Sequence, residues 1–311
     1  MLKISVLTSL FNSDKYLEGY LSCIRQVKNL RDIEFIIIHN QPSENELRII
    51  SEFINKKNKV NIIHIIVKER ENLYSSWNRG IKASKGKYIA IWNVDDIRLS
   101  DSLERQAKVL YENQNVYFTY GDQIEVKKYL DTEGLLIIQP EFEKNRDLFL
   151  NNYYGGCFPM WKKEVHDVIG YFDEQFKSAG DFDFFVRLAR KFNGKKTEGI
   201  LGYYLASTGI SKTGRVNNIE RTVIELRYAQ FHKINFIFLL PAILNYSIGK
   251  MHWFNCVYRV SDYFDNYYYY WKKKLPLLLI GLIKFPFKFL IPTIIRYLFK
   301  GLSYAKYNSK F

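Results

Sequence analysis

Tyr88-Ile89-Ala90-Ile91-Trp92-Asn93-Val94-Asp95-Asp96 decides the fold. Five apolar residues in succession, with no polar alternation, describe a strand buried on both faces. Two adjacent carboxylates follow at its exit. In an open α/β sheet, ligands bind in the crevice beyond the C-terminal ends of the strands. Paired acids there make a hard oxygen site suited to Mg²⁺ or Mn²⁺, with water and phosphate oxygens as further ligands. A metal so placed stabilises charge on a departing diphosphate. Asp is also common in turns, so taken alone the pair reads equally well as a turn before a helix.

The flanking sequence repeats the pattern. Ile4 to Leu7, Ile33 to Ile38 and Val60 to Val67 are further apolar runs of strand length. Residues 13–28 carry Tyr16, Leu17, Tyr20, Leu21 and Ile24 at helical spacing. Helices are also expected over Glu44–Phe53 and Tyr74–Ala83, and after Asp101, where Glu104 is placed for a capping box. Apolar strands alternating with helices predict an α/β, Rossmann-like, mostly parallel sheet flanked by helices. Polar clusters fall at the strand ends: Thr8-Ser9, His39-Asn40 and Asn93 to Asp96.

Beyond residue 115 the pattern is less regular. Val116–Tyr120 reads as a strand, and Gln123–Ile138 as a hairpin turning at Asp131-Thr132-Glu133-Gly134. Lys162–Ile169 and Phe182–Phe192 read as helices, Ile200–Ala206 as a strand and 217–233 as a helix. Asp181 and Asp183 flank the start of the second helix. Acids there are ordinary partners of the helix dipole, and in a cleft one of them can act as general base on a hydroxyl. His64, His166, Cys157 and Trp161 read as packing residues.

Composition bounds the rest. The chain has 311 residues, 47% hydrophobic and 25% charged, which is enough for one large domain and an appendage. The three cysteines are far apart and form no CxxC pair. Neither a disulfide framework nor a thiolate zinc site is expected, and a reducing compartment fits. No charged segment followed by a long apolar run opens the chain, so no signal peptide is expected.

Four stretches, in order, resemble the family-2 glycosyltransferases, inverting enzymes of GT-A fold. They are Ile4 to Asn12, Glu71 to Tyr88 with its Asn78-x-Gly80, Ile89 to Asp96, and Gly170 to Glu174 followed by Ala179 to Asp183. Together they span about residues 1–212. The resemblance implies a nucleoside-diphosphate-sugar donor, with Thr8, Phe11, Asn40, Arg79, Asn93 and Asp95 at the donor. It implies Asp95 and Asp96 as ligands of Mn²⁺ or Mg²⁺, and Asp181 as the catalytic base. The sequence departs from the family at Asn93, at Trp77 (with the Arg displaced to position 79), at His39-Asn40, and in lacking a late His near Tyr204–Gly209. These departures bear on metal affinity and base specificity.

The expected organisation is a GT-A domain over 1–215 and a C-terminal helical, basic-aromatic, membrane-associating segment over 216–311. From His232 onward there are 12 Lys/Arg against 2 Asp, and 21 aromatic residues. The apolar run 275–299 is interrupted by Lys284, Lys288 and Arg296. Charges inside a span are expensive, so an interfacial helix on an anionic leaflet is expected, at the cytoplasmic face of the membrane. A lipid-linked glycan acceptor fits that location. No nucleic-acid motif accompanies the basic tail, so nucleic acid is not an expected partner. The competing readings are a non-catalytic membrane-bound scaffold on a degenerate GT-A domain and a nucleotidyltransferase. The latter would require a Gly-rich basic loop where Ser9-Leu10-Phe11-Asn12 stands.

Overall fold

The structure is a computed structural model, and residues 3–56, 60–206, 215–228, 250–253 and 256–259 are described. The chain divides into two units, Met1–Arg221 and Thr222–Phe311. Most of the segment expected to meet a membrane lies outside the described residues. Within them, Lys250–Trp253 and Cys256–Arg259 pair as an antiparallel hairpin rather than a helix.

The first unit opens with β1 (Ile4–Leu10), α1 (Asp14–Arg25), β2 (Ile33–Asn40), α2 (Glu44–Asn55), β3 (Asn61–Val67), α3 (Leu73–Ala83) and β4 (Tyr88–Ile91). Then follow β5 (Ile97–Arg98), α4 (Ser102–Glu112), β6 (Val116–Val126), β7 (Leu135–Ile137), α5 (Phe142–Asn151) and β8 (Met160–Lys162). It closes with α6 (His166–Ile169), α7 (Gly180–Lys191), β9 (Asn193–Leu205) and α8 (Arg215–Tyr228), the last running past Arg221.

Among the described residues these strands form a nine-stranded sheet in the order β3-β2-β1-β4-β8-β6-β9-β5, with β7 paired to β6. The first four are parallel, as the apolar runs predict. The expectation of a mostly parallel sheet fails beyond β4. β8 inserts antiparallel between β4 and β6, and β5 and β7 also pair antiparallel, so the sheet is mixed. β6 and β9 restore a parallel pair with register shifts.

Burial explains the pattern. Every residue of β2 and β4 is buried. Across the sheet, α1 buries Leu17, Tyr20, Leu21 and Ile24, the stripe that periodicity predicts. A carboxylate is buried in this core with its partners supplied. Glu34 Oε1 accepts from Ser5 Oγ (2.5 Å), Lys85 N (2.6 Å) and Gly86 N (3.2 Å). β1, β2 and the turn into β4 are thereby joined at one atom, which satisfies a group that would otherwise be costly to bury.

Two local expectations are corrected. Asp101 does precede α4, but it makes no side-chain cap; its carboxylate pairs with Arg105 and Glu104 accepts from Asn29. The capping box forms instead at α2, between Ser43 and Glu46. The expected helix over 162–169 is helical only after Lys162, because Met160–Lys162 is drawn into the sheet beside β4.

Gly86 lies where the turn crosses β1. A Cβ there would stand 2.5 Å from Ser5 Oγ and 2.6 Å from Ser5 N. Backbone cannot retreat from that contact, so Gly86→Ala is expected to destabilise the protein by about 1–3 kcal/mol, read as a lower thermal midpoint.

Candidate active site

The site is built on the end of β4. Trp92 stays in the core, fully buried, with its ring edge-on to Tyr20 at 5.3 Å. From there its indole Nε1 donates to the Asp96 carbonyl at 2.9 Å. The chain between them turns back on itself, Asp96 N donating to Asn93 O at 3.1 Å. The turn holds Asp95 half-buried and Asp96 almost fully buried.

The two acids have different surroundings. Asp96 Oδ1 accepts from Leu205 N (3.2 Å) and Oδ2 from the Asn93 amide (3.1 Å). Burial, reinforced by Asp95, pushes the Asp96 carboxyl well above the usual carboxylate range against these bonds and Arg98. Arg98 is itself buried, bonded to Gln106 Oε1 (2.7 Å) and Ile91 O (2.9 Å), and burial brings its guanidinium down to about 9. Asp95 is the more accessible carboxylate. Among the described residues no cluster of three or more His, Cys, Asp or Glu has metal-ligating geometry.

The other residues expected at the donor lie on or after β1, at the end of β2 and on α3. Thr8 Oγ1 donates to Trp92 O (2.7 Å) and lies 2.5 Å from Tyr20 OH, tying the ends of β1 and β4 together. Asn40 is buried at the end of β2. Its amide donates to Ser76 Oγ (2.9 Å), and its carbonyl accepts from Glu71 N (3.1 Å). The Glu71 carboxylate in turn holds Arg79 through Nε (3.0 Å) and Nη2 (2.8 Å). Arg79 is half-exposed on α3 and already paired. Phe11 is half-buried beneath the Arg70 guanidinium, 3.8 Å from the ring. His39, of the strand-end cluster, and His64, read as a packing residue, are 3.1 Å apart, and burial holds both below the usual imidazole value, His64 at about 4.

Asp181 stands in the first turn of α7, half-buried. Its Oδ1 accepts from Phe182 N (2.8 Å) and, at 3.5 Å, from Tyr74 OH on α3. Burial pushes this carboxyl up to about 6 despite those donors and Arg221. The segment before it is stitched to α3. Asn78 exchanges bonds with the Phe172 backbone (both 2.9 Å) and donates to Glu174 Oε1 (2.8 Å), while Ser75 Oγ donates to Glu174 Oε2 (2.9 Å). A Cβ on Gly180 would meet the Tyr74 ring at 2.7 Å, so glycine lets the turn that bears Asp181 close on α3.

Three tyrosines lie in the field of one or other of these acids. Tyr204 feels the charges of Asp95, Asp96 and Cys157; Tyr153 feels those of Asp181 and Cys157. Tyr129, from the β6–β7 hairpin, also lies in the field of Asp95 and Asp96, with its hydroxyl donated to Tyr16 O at 3.0 Å. Sequence reading missed Arg70, Tyr74, Tyr129 and Tyr153. No motif signals them, because each acquires its place through a partner distant in the chain. The clamp made by Asn78 was signalled only as part of the Asn-x-Gly motif.

Residues 5–170 match the model of glycosyl transferase family 2. The chain belongs to that family. It is a glycosyltransferase, and its architecture is GT-A-like with a mixed sheet. Similar proteins include an uncharacterized glycosyltransferase of Methanocaldococcus jannaschii, 24% identical over 94% of this chain and 90% of its own. Another is the glycosyltransferase GlyG of Streptococcus pneumoniae, 28% identical over 32% of this chain and 33% of its own. Among solved structures, S. aureus TarS residues 1–349 with UDP-GlcNAc aligns with TM-score 0.55 at 17% identity, over 78% of this chain and 72% of that one. The mannosyltransferase PcManGT of Pyrobaculum calidifontis with GDP-Man and Mn²⁺ aligns with TM-score 0.51 at 14% identity, over 73% of this chain and 61% of that one.

In this glycosyltransferase the indole of Trp92 is the internal brace of the acidic turn. Trp92→Phe leaves the Asp96 carbonyl without its buried donor and is expected to cost about 1–3 kcal/mol. Chemical denaturation measures that loss; an unchanged midpoint would show that the turn does not need the brace.

Proposed function

We propose that the enzyme transfers a sugar from a nucleoside-diphosphate sugar to a hydroxyl of a lipid-linked glycan, with inversion at the anomeric carbon, at the cytoplasmic face of a membrane. The observation that carries the reading is Asp181. It is a half-buried carboxyl in the first turn of α7, raised by burial to about 6. A general base works best with a pKa near the operating pH. The nucleotide sugars held by TarS and PcManGT support the donor class by analogy of fold alone.

In this reading Asp181 Oδ takes the proton of the acceptor hydroxyl. The acceptor oxygen forms its bond to the anomeric carbon from the face opposite the diphosphate. The bond from that carbon to the diphosphate oxygen breaks, and its electron pair leaves with the nucleoside diphosphate. Mn²⁺ or Mg²⁺, when bound, supplies positive charge to that leaving group. Asp95 is the residue placed to hold it, because it is the more exposed acid of the turn. Asp96, behind it, orients the turn through Leu205 N and Asn93. Asn93 and the exposed Arg70 over Phe11 border the donor, while Thr8 and Asn40 fix the strand ends that shape its pocket. Arg79 reaches the diphosphate only by exchanging its pairing with Glu71. The membrane assignment is supported by the 12 Lys/Arg and 21 aromatic residues that follow residue 231.

Calorimetric titration with UDP, GDP and dTDP, with and without Mn²⁺, tests the donor. Metal-dependent binding of one nucleotide is expected, weakened by Asp95→Ala and retained by Asp181→Asn. The Asp181 variant should lose transfer of radiolabelled sugar to a membrane-lipid extract by about 10²-fold or more. Because the base acts as the carboxylate, wild-type transfer should fall as pH drops through about 6. Full transfer by Asp181→Asn removes the residue from this role. Truncation after residue 231 should release the protein from vesicles containing anionic lipid, and retention on them defeats the membrane assignment.

A further inference from the structure

α8 meets the base-bearing turn with consecutive residues. Glu220 is fully buried, and its carboxylate accepts from the backbone N–H groups of Lys177 (2.8 Å), Ser178 (2.8 Å) and Ala179 (2.9 Å). One turn earlier, Asn217 Nδ2 donates to Ser178 Oγ at 3.1 Å. Ala179 is the N-cap residue of α7 and has no side chain to cap with. A carboxylate from another helix thus collects the donors of the loop that leads into the helix. The next residue, Arg221, holds its guanidinium 4.8 Å from the Phe182 ring. Asp181 lies between these two anchors.

We propose that Glu220 and Arg221 are positioning residues for Asp181, so that α8 is a working part of the acceptor side of the enzyme. The inference rests on Asp181 being the base. A buried carboxylate is expensive unless several donors surround it, and here the donors are the three N–H groups of residues 177–179. Their convergence fixes the direction in which the first turn of α7 leaves the loop. Arg221 adds a cation beside the carboxyl that must lose its proton. The charged and titratable groups around that carboxyl are Tyr74 of α3, Tyr153 before β8, and Arg221 of α8; Glu220 acts on Tyr74. Rotation or withdrawal of α8 would alter both the aim of Asp181 and its readiness to accept a proton.

The test uses the full-length protein with ¹³C-labelled aspartate, the Asp181 carboxyl signal being assigned by its loss in Asp181→Asn. Arg221→Gln should raise the titration midpoint by about half a pH unit, and Arg221→Lys should restore it. Glu220→Gln should speed amide hydrogen exchange at residues 177–179 by about tenfold or more. It should also lower kcat for transfer about tenfold, with affinity for the nucleotide selected above changed less than about twofold. An Asp181 midpoint that Arg221→Gln leaves in place overturns the proposal, and that titration decides it if Glu220→Gln does not fold. Because the midpoint is read without any transfer assay, its failure is distinct from failure of the base assignment, which appears as full transfer by Asp181→Asn.

Discussion

Everything in the acidic site depends on one bond made from inside the core, the indole N–H of Trp92 to the carbonyl of Asp96. A strand end is the least constrained part of a sheet, because its backbone has run out of neighbours. Here the last apolar residue does not follow the chain outward; it stays packed on Tyr20 and Phe35 and reaches back to grip the turn four residues on. The carboxylate of Asp96 adds a second grip on Leu205, at the end of β9. The turn is thus held from two parts of the sheet, and the two acids are set at different depths. One is accessible to a ligand and the other is used to hold the turn.

The same economy recurs around the site. Asn40 satisfies Ser76 and the Glu71 backbone at once, and Glu71 then holds Arg79. Thr8 joins β1 to β4 through Trp92 O. Much of the hydrogen bonding of these side chains is spent inside the protein.

β1, β2 and β4 were legible because each is an apolar run, and only an arrangement covered on both faces buries such runs; β3 was legible by a similar run, although at the sheet edge only its Val67 is buried. The α1 stripe was legible through its period of about 3.6, and the β6–β7 hairpin through its turn at Asp131-Thr132-Glu133-Gly134. β8 was not, because three residues make no pattern and Trp161 and Lys162 join the sheet through partners that local sequence does not name. Without β8 the antiparallel turn of the sheet could not be foreseen. In the site, Asn93, Asp95, Asp96 and Asp181 were legible as acids and amides at the start or end of elements. The depth of each was not, since it depends on distant groups such as Leu205 N and Tyr74. The tyrosines near these carboxyls were silent for the same reason.

Asn78 has a consequence for how the two substrates are handled. Its side chain binds Phe172 and Glu174, while its helix packs Gly80 against Leu7 and Ile38 of the parallel strands. The module that would receive the acceptor is therefore fastened to the module that would hold the donor by a short, buried polar seam. Exchange of acceptor modules between related enzymes must carry α3 with them, or the graft will arrive without its fastening.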